Sequence, residues 1–294
     1  MRISTAGLAG LAGAAALLAG TATAQETPDA GGPVTLVYAG RLLDRPGQAP
    51  RGPSTLILRD GRIVEVRDGH VDPALFPGAT VVDQADRFVL PGLIDSHVHL
   101  TSDLGGQARF LAGVTDNLPA HAFRAAENAQ KTLMAGFTTV RNLGDAGGVT
   151  LALRDATAEH RLPGPRIVDA GESISTTSGH MDGRLGFNDD LREHIGHDNV
   201  CNGPESCREA VRLQVGRGAN VIKIATTGGV NSRIGAGLGA QMFEDEARAL
   251  TADGALVLMR DDDLDRTTDA TDTPAAVRQG SPEAVARASA CLAG

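Results

Sequence analysis

Residues 90–100 read Leu90-Pro91-Gly92-Leu93-Ile94-Asp95-Ser96-His97-Val98-His99-Leu100. An apolar run opened by Pro91 and Gly92 passes straight into Asp95, His97 and His99. Alternate side chains of a β-strand share a face, so this spacing predicts three polar groups pointing the same way at the strand's end. Two imidazoles at i and i+2 can hold one metal ion, with Asp95 near enough to support them from behind. In a parallel βα protein the C-terminal end of a strand is where sites are built. A bare His-x-His would serve equally as two surface histidines; the whole string is what makes the pattern specific.

On either side of this string the chain changes character. Upstream, Thr35 to Ala39, Thr55 to Leu58 and Arg62 to Val66 read as short strands. Asp60-Gly61 between the last two is a hairpin signal. Residues 25–87 are therefore expected to form a small antiparallel β-sheet domain. Downstream, the apolar runs Phe88 to Ile94, Phe137 to Val140, Arg166 to Ala170 and Val221 to Ala225 alternate with helix-like stretches at 120–135, 149–160 and 204–217. Short apolar strands alternating with helices predict parallel βα units, here the first four of a (β/α)8 barrel over residues 88–250. A closed barrel needs about 250 residues. The roughly 200 that follow Phe88 fall short of it, so a partial barrel is expected. From 251 to 294 the chain is rich in Asp, Thr, Ala and Pro without apolar period, and reads as a disordered tail.

Composition narrows the partners. Net charge is -9 with no basic stripe, which excludes nucleic acid, since phosphate contacts need clustered Lys and Arg. Arg2, the apolar run Leu8 to Leu18 and the small residues Ala22-Thr23-Ala24 form a signal-peptide pattern over residues 1–24. The run is shorter than the ~20 residues of a spanning helix, so no stable membrane span is expected, and the chain is read as exported to a periplasmic or secreted location. Export permits disulfides. Cys201 and Cys207 flank a turn-rich loop, where either a local bridge or two free thiols fit; Cys291 has no evident partner.

Lys223 sits between Ile222 and Ile224 in an apolar run. From the residues alone, it either reaches the strand end and pairs with an acid, or loses its proton readily and becomes reactive. His180 lies in the loop Thr176-Thr177-Ser178-Gly179-His180-Met181-Asp182. Arg141, Asn142 and Asp145 follow the second strand, where they either face the site or, as the simpler role, serve in structural pairing. His70, His121, His160, His194 and His197 lack ligand spacing.

The string at 90–100 resembles the first-strand metal motif of the amidohydrolase superfamily. Ala135 to Asn142, Pro163 to Ile167 and Gly218 to Val230 resemble the second, third and fourth strands of its imidazolonepropionase-like and Xaa-Pro dipeptidase-like branch. The resemblance implies a divalent metal site, with zinc as the expected ion and two ions in an intact enzyme. It implies His97 and His99 as ligands, Lys223 carboxylated to bridge the metals, and His180 contacting substrate. The reaction it implies is hydrolysis of an amide C–N bond by an activated water. The substrate would be a small molecule or dipeptide: an Xaa-Pro dipeptide, another N-acyl amino acid or a cyclic amide. A homo-oligomer stays open.

The family also supplies two histidines from the fifth and sixth strands and an aspartate general base from the eighth. No histidine follows His197, and no Asp after 260 ends an apolar strand. No catalytic base is therefore assigned, and the sequence is read as truncated or frameshifted after about residue 250, the chain as given being expected to lack amidase activity. A non-catalytic fragment and an exported metal-binding protein remain the competing readings. If residues 1–24 are removed on export, amino-terminal sequencing of protein from the native host will begin at or near Gln25; a mature protein starting at Met1 refutes this.

Overall fold

The computed structural model describes residues 32–228 and 239–251. The expected signal peptide, residues 25–31 after it, residues 229–238 and the tail beyond Thr251 lie outside the described residues. The chain divides into two compact units, with Pro91 the last residue of the first and Gly92 the first of the second. That is four residues beyond the expected boundary.

In the first unit β1 (Val34–Leu42), β2 (Ser54–Arg59), β3 (Arg62–Asp68) and β4 (Thr80–Val89) form one sheet of order β3-β2-β1-β4. Asp60 and Gly61, with φ of 50° and 74°, make the two-residue turn between β2 and β3, whose twist matches the flanking strands. Antiparallel pairing holds for β1–β2 and β2–β3, but β4 joins β1 in parallel. The sheet is therefore mixed rather than antiparallel throughout. Inward-facing Ala39, Leu42 and Leu56, with Val37, Leu58, Val66 and Val89 against them, make its core.

The apolar run 88–94 is two strands, not one. Phe88 and Val89 finish β4, and Leu93 begins β5 (Leu93–Val98). Pro91, between them, has no N–H to give a ladder.

The second unit continues through α1 (Gly106–Thr115), α2 (Leu118–Met134), β6 (Phe137–Asn142), α3 (Val149–Ala158), β7 (Arg166–Asp169), α4 (Asp189–Arg192), α5 (Pro204–Gly216) and α6 (Glu244–Thr251). Strands β5, β6 and β7 lie parallel in that order. Helix α2 opens with Pro119 in its first turn and closes at Gly136, whose φ of 98° is the left-handed stop that glycine accepts cheaply. Its small residues Ala125 and Ala129 let the helix close on Leu100, Val140, Leu153 and Ile167. Burying a Val or Leu side chain contributes roughly 1.5–3 kcal/mol, and this cluster fixes which strand residues face the helices. Val98, Leu100 and Val140 do so; His97, His99 and Arg141, at alternate positions, do not. Among the described residues no helix is long and apolar enough to cross a membrane.

The expected fourth strand, Val221 to Ala225, is reduced to one parallel bridge, Ile174 to Ile224. Ile174 N–H donates to Lys223 O (2.8 Å), and Ala225 N–H donates to Ile174 O (2.9 Å). The ladder breaks just after β7. There the Asp169 carboxylate takes the Gly171 N–H at 2.7 Å, and Gly171 turns at φ 63°.

Gly92 packs against β6 where a bulge brings Thr138 across. A Cβ on Gly92 would stand 2.6 Å from the Thr138 Cβ, an atom that no rotamer change moves. Gly92→Ala is expected to destabilise the unit by about 1–3 kcal/mol in urea melts. Thr138→Gly in the same chain should recover part of the loss. An unchanged midpoint in Gly92→Ala would show that the backbone gives way freely there.

Candidate functional site

The parallel strands end in the polar residues read from the sequence. His97 is the penultimate residue of β5 and His99 lies one beyond it. The pairing steps from Asp95↔Val140 to Val98↔Asn142, three residues on β5 against two on β6. One extra residue is thus bulged out at the polar end, so the simple alternation expected of Asp95, His97 and His99 is interrupted. Bulges beside sites re-aim side chains, and here the two imidazoles stand 5.4 Å apart between ring centroids, tilted by 60°. Asp95 Oδ1 accepts the main-chain N–H of His97 (3.0 Å) and so braces the bulged backbone.

His99 takes its orientation from another loop. Its Nδ1 lies 2.7 Å from the Gly144 carbonyl oxygen. A carbonyl only accepts, so Nδ1 is the donor here and Nε2 is the ring nitrogen left for another partner. The His97 imidazole is held below its ordinary pKa by burial first, then by Lys223, His99 and Arg141, with Asp95 opposing. It is a neutral nitrogen donor near neutral pH.

Lys223 is half-buried rather than enclosed by its isoleucines. Ile222 and Ile224 pack on the cluster of Ile174, Val211 and Leu250, and alternation turns Lys223 to the other side. Burial, then the Arg141 charge, lowers its pKa. His180 is exposed on its loop. Burial of its ring, then Lys223, Arg109 and His99, hold its pKa down. Lys223 acts on both His97 and His180, and His99 acts on the same two. The four residues therefore share one neighbourhood. Cys201 and Cys207 are joined in a disulfide in the cluster beneath Ile224.

A buried polar network under the histidines was only partly legible. Asn142 is fully buried. Its Oδ1 accepts the Leu100 N–H (3.0 Å), and its Nδ2 donates to Thr150 Oγ1 (3.1 Å) and more weakly to Asp169 Oδ2 (3.5 Å). Thr101 Oγ1 donates to Asp145 Oδ1. Asp145 Oδ2 is buried with no partner among the described residues, and burial pushes that carboxyl's pKa upward against the pull of Thr101. The one available signal was position: Asn142 and Asp145 stand just past an apolar run, while Asp169 lies inside the run 166–170.

Imidazole nitrogens suit a borderline divalent ion such as zinc. His97 and His99 fit part of a coordination shell. Among the described residues no group of three or more His, Cys, Asp or Glu completes one.

The sequence pattern of the amidohydrolase family matches residues 88–273: this chain belongs to the amidohydrolase family. Ochratoxinase of Aspergillus niger is 29% identical over 235 residues, covering 76% of this chain and 48% of that protein. A solved Xaa-Pro dipeptidase with methionine bound in its active site is similar at TM-score 0.69 and 35% identity, over 74% of this chain and 53% of the other. A prolidase complexed with N-methylphosphonate-L-proline is similar at TM-score 0.63 and 32% identity, over 76% and 54%. The chain thus spans about half the length of these relatives.

Asp169 yields a test of the buried network. Burial, partly offset by Thr150 and Gly171, pushes its carboxyl from 3.8 up to about 6. Between those values the folded chain keeps a proton that the unfolded chain has released. Stability therefore falls as pH rises through that window, by at most roughly 3 kcal/mol, and levels off above it. Asp169→Asn keeps an acceptor for Gly171 and cannot ionise, so its denaturation midpoint should lack this decline. Parallel curves for the two proteins from pH 4 to 6 would show that Asp169 is not the titrating group.

Proposed function

We propose that the chain carries the metal-binding strand end and the activating lysine of a metal-dependent amidohydrolase, which cleaves an amide C–N bond in a small substrate. The observation behind this reading is the shared neighbourhood of His97, His99, Lys223 and His180, with His99 Nε2 left for another partner by the Gly144 contact. The parallel strands and the bridged segment at 221–227 are read as the first four βα units of a (β/α)8 barrel, whose strand ends gather a site.

In this reading His97 and His99 hold a divalent metal, expected to be zinc, with a second ion in the intact site. The bound metal supplies Lewis acidity and a more acidic water. Lys223, its proton lost more easily than usual, attacks carbon dioxide through Nζ and releases a proton to solvent. The resulting carbamate replaces a cation by oxygen donors. His180, neutral near pH 7, donates an N–H to the substrate carbonyl. Asp95 keeps the bulge in shape. The Xaa-Pro dipeptidase and prolidase likenesses favour a dipeptide ending in proline, and an N-acyl amino acid or cyclic amide offers the same bond. The Cys201–Cys207 disulfide supports an exported location, where such bonds persist.

The test follows metal and carbamate separately. His97→Ala and His99→Ala should each remove most of the zinc measured by elemental analysis. The sequence has only two lysines, Lys131 and Lys223, and Lys131 is paired with Glu127 at 2.7 Å. Incubation with 13C-bicarbonate should therefore give one side-chain carbamate carbon resonance beside that of the N-terminal amine, and only the side-chain one should be absent in Lys223→Ala. That variant of a complete enzyme should lose at least about 100-fold in hydrolysis of an Xaa-Pro panel, recovering partly with short carboxylic acids. Unchanged zinc in both histidine variants, or full activity of Lys223→Ala without rescue, overturns the reading.

A further inference from the structure

The loop that carries His180 is held by contacts from two other segments. On one side, Gln241 Oε1 accepts the His180 N–H and Gln241 O accepts from Thr176 Oγ1, both at 2.8 Å. On the other lies the strap 199–203. Ser175 N–H donates to Asn199 O (2.9 Å) and Cys201 N–H donates to Ser175 O (2.8 Å), pairing the strap with the base of the loop in a single parallel bridge. Asn199 then spends both amide hydrogens on the loop: Nδ2 donates to Ser173 O (2.8 Å), before His180, and to Met181 O (2.9 Å), just after it. One planar side chain thus ties the two ends of the loop together. Asn202 adds a smaller tie, its Nδ2 donating to Thr177 Oγ1 at 2.9 Å.

The strap needs its own anchor, because between α4 and α5 it has no regular secondary structure. The disulfide supplies it. Cys201 and Cys207 are both fully buried, and their bond closes the strap onto the first turns of α5 while Gly203 N–H donates to Glu246 Oε1 (2.6 Å). We infer that Asn199, fixed in place by the Cys201–Cys207 disulfide, is the positioning residue of the His180 loop. Its bearing on substrate rests on the role of His180 proposed above; the clamp itself does not. The rival arrangement is a loop that holds itself. Buried Asp182 accepts from Ser178 N–H (2.8 Å), Arg184 N–H (3.0 Å) and the Arg184 guanidinium, and this knot could fix residues 178–184 without Asn199.

Hydrogen exchange read by mass spectrometry separates the two. Asn199→Asp keeps the shape and removes both donors, and should speed exchange of the amides at 175–182 by at least about 10-fold, leaving 208–216 in α5 unchanged. Wild type treated with a phosphine, which takes up oxygen as two thiols form, should show the same local change. This second arm needs no variant to fold. Unchanged exchange at 175–182 in both arms overturns the clamp in favour of the Asp182 knot. Equal acceleration over both units in the reduced protein also overturns it, making the bond a general staple. Zinc content of Asn199→Asp should match wild type, and in a complete enzyme KM should rise about 10-fold with kcat little changed. Absent zinc in wild type would instead count against the proposed function and leave the exchange result to decide the clamp.

Discussion

Three parallel strands end at one level, where Val98, Asn142 and Asp169 lie side by side, and these ends must be joined where water does not reach. Asn142 does most of this. Its oxygen takes the N–H of Leu100, next to His99, while its nitrogen reaches α3 and the end of β7. A buried amide left half-satisfied would cost about 1–3 kcal/mol, so each partner keeps the others in register. The Gly144 carbonyl that orients His99 and the Asp145 carboxylate that holds Thr101 lie on the loop that begins at this residue. Placement of the histidines is therefore a property of the second strand's exit as much as of their own strand.

Much of this was legible because it is written in local pattern. Asp95, His97 and His99 announce themselves by following an apolar run, and Asp60-Gly61 by its dihedral demands. The helices at 118–134, 149–158 and 204–216 follow from Ala- and Leu-rich periodicity. Strand β4 escaped notice because Asp83, Gln84, Asp86 and Arg87 interrupt it and most of its residues are exposed. Its last residues, Phe88 and Val89, run on in sequence toward β5 as though one strand continued. The bulge at the end of β5 left no mark either, since register depends on a partner strand 45 residues away.

The site shows the same division. Residue types placed His97, His99, Lys223 and His180 as candidates, but their neighbourhood depends on long-range packing. Burial lowers the pKa of both His97 and Lys223; Lys223, His99 and then Arg141 add to it at His97, and Arg141 at Lys223. For Arg141 the sequence left open either a place facing the site or structural pairing. Asp169 sits in what reads as plain strand, yet its carboxylate ends the ladder by taking the Gly171 N–H.

The parallel pairing of β1 with β4 sets an order of assembly for the first unit. Strands β1, β2 and β3 meet through neighbouring turns, so that meander can form as it leaves the ribosome. Thr35, however, waits for Thr80, and Leu42 for Val89. Closing that longer loop costs entropy before its contacts repay it. The sheet is complete only once the chain has emerged as far as Val89, four residues before the strand that carries the histidines begins. The first unit can thus bring its four strands together while the second is still being made.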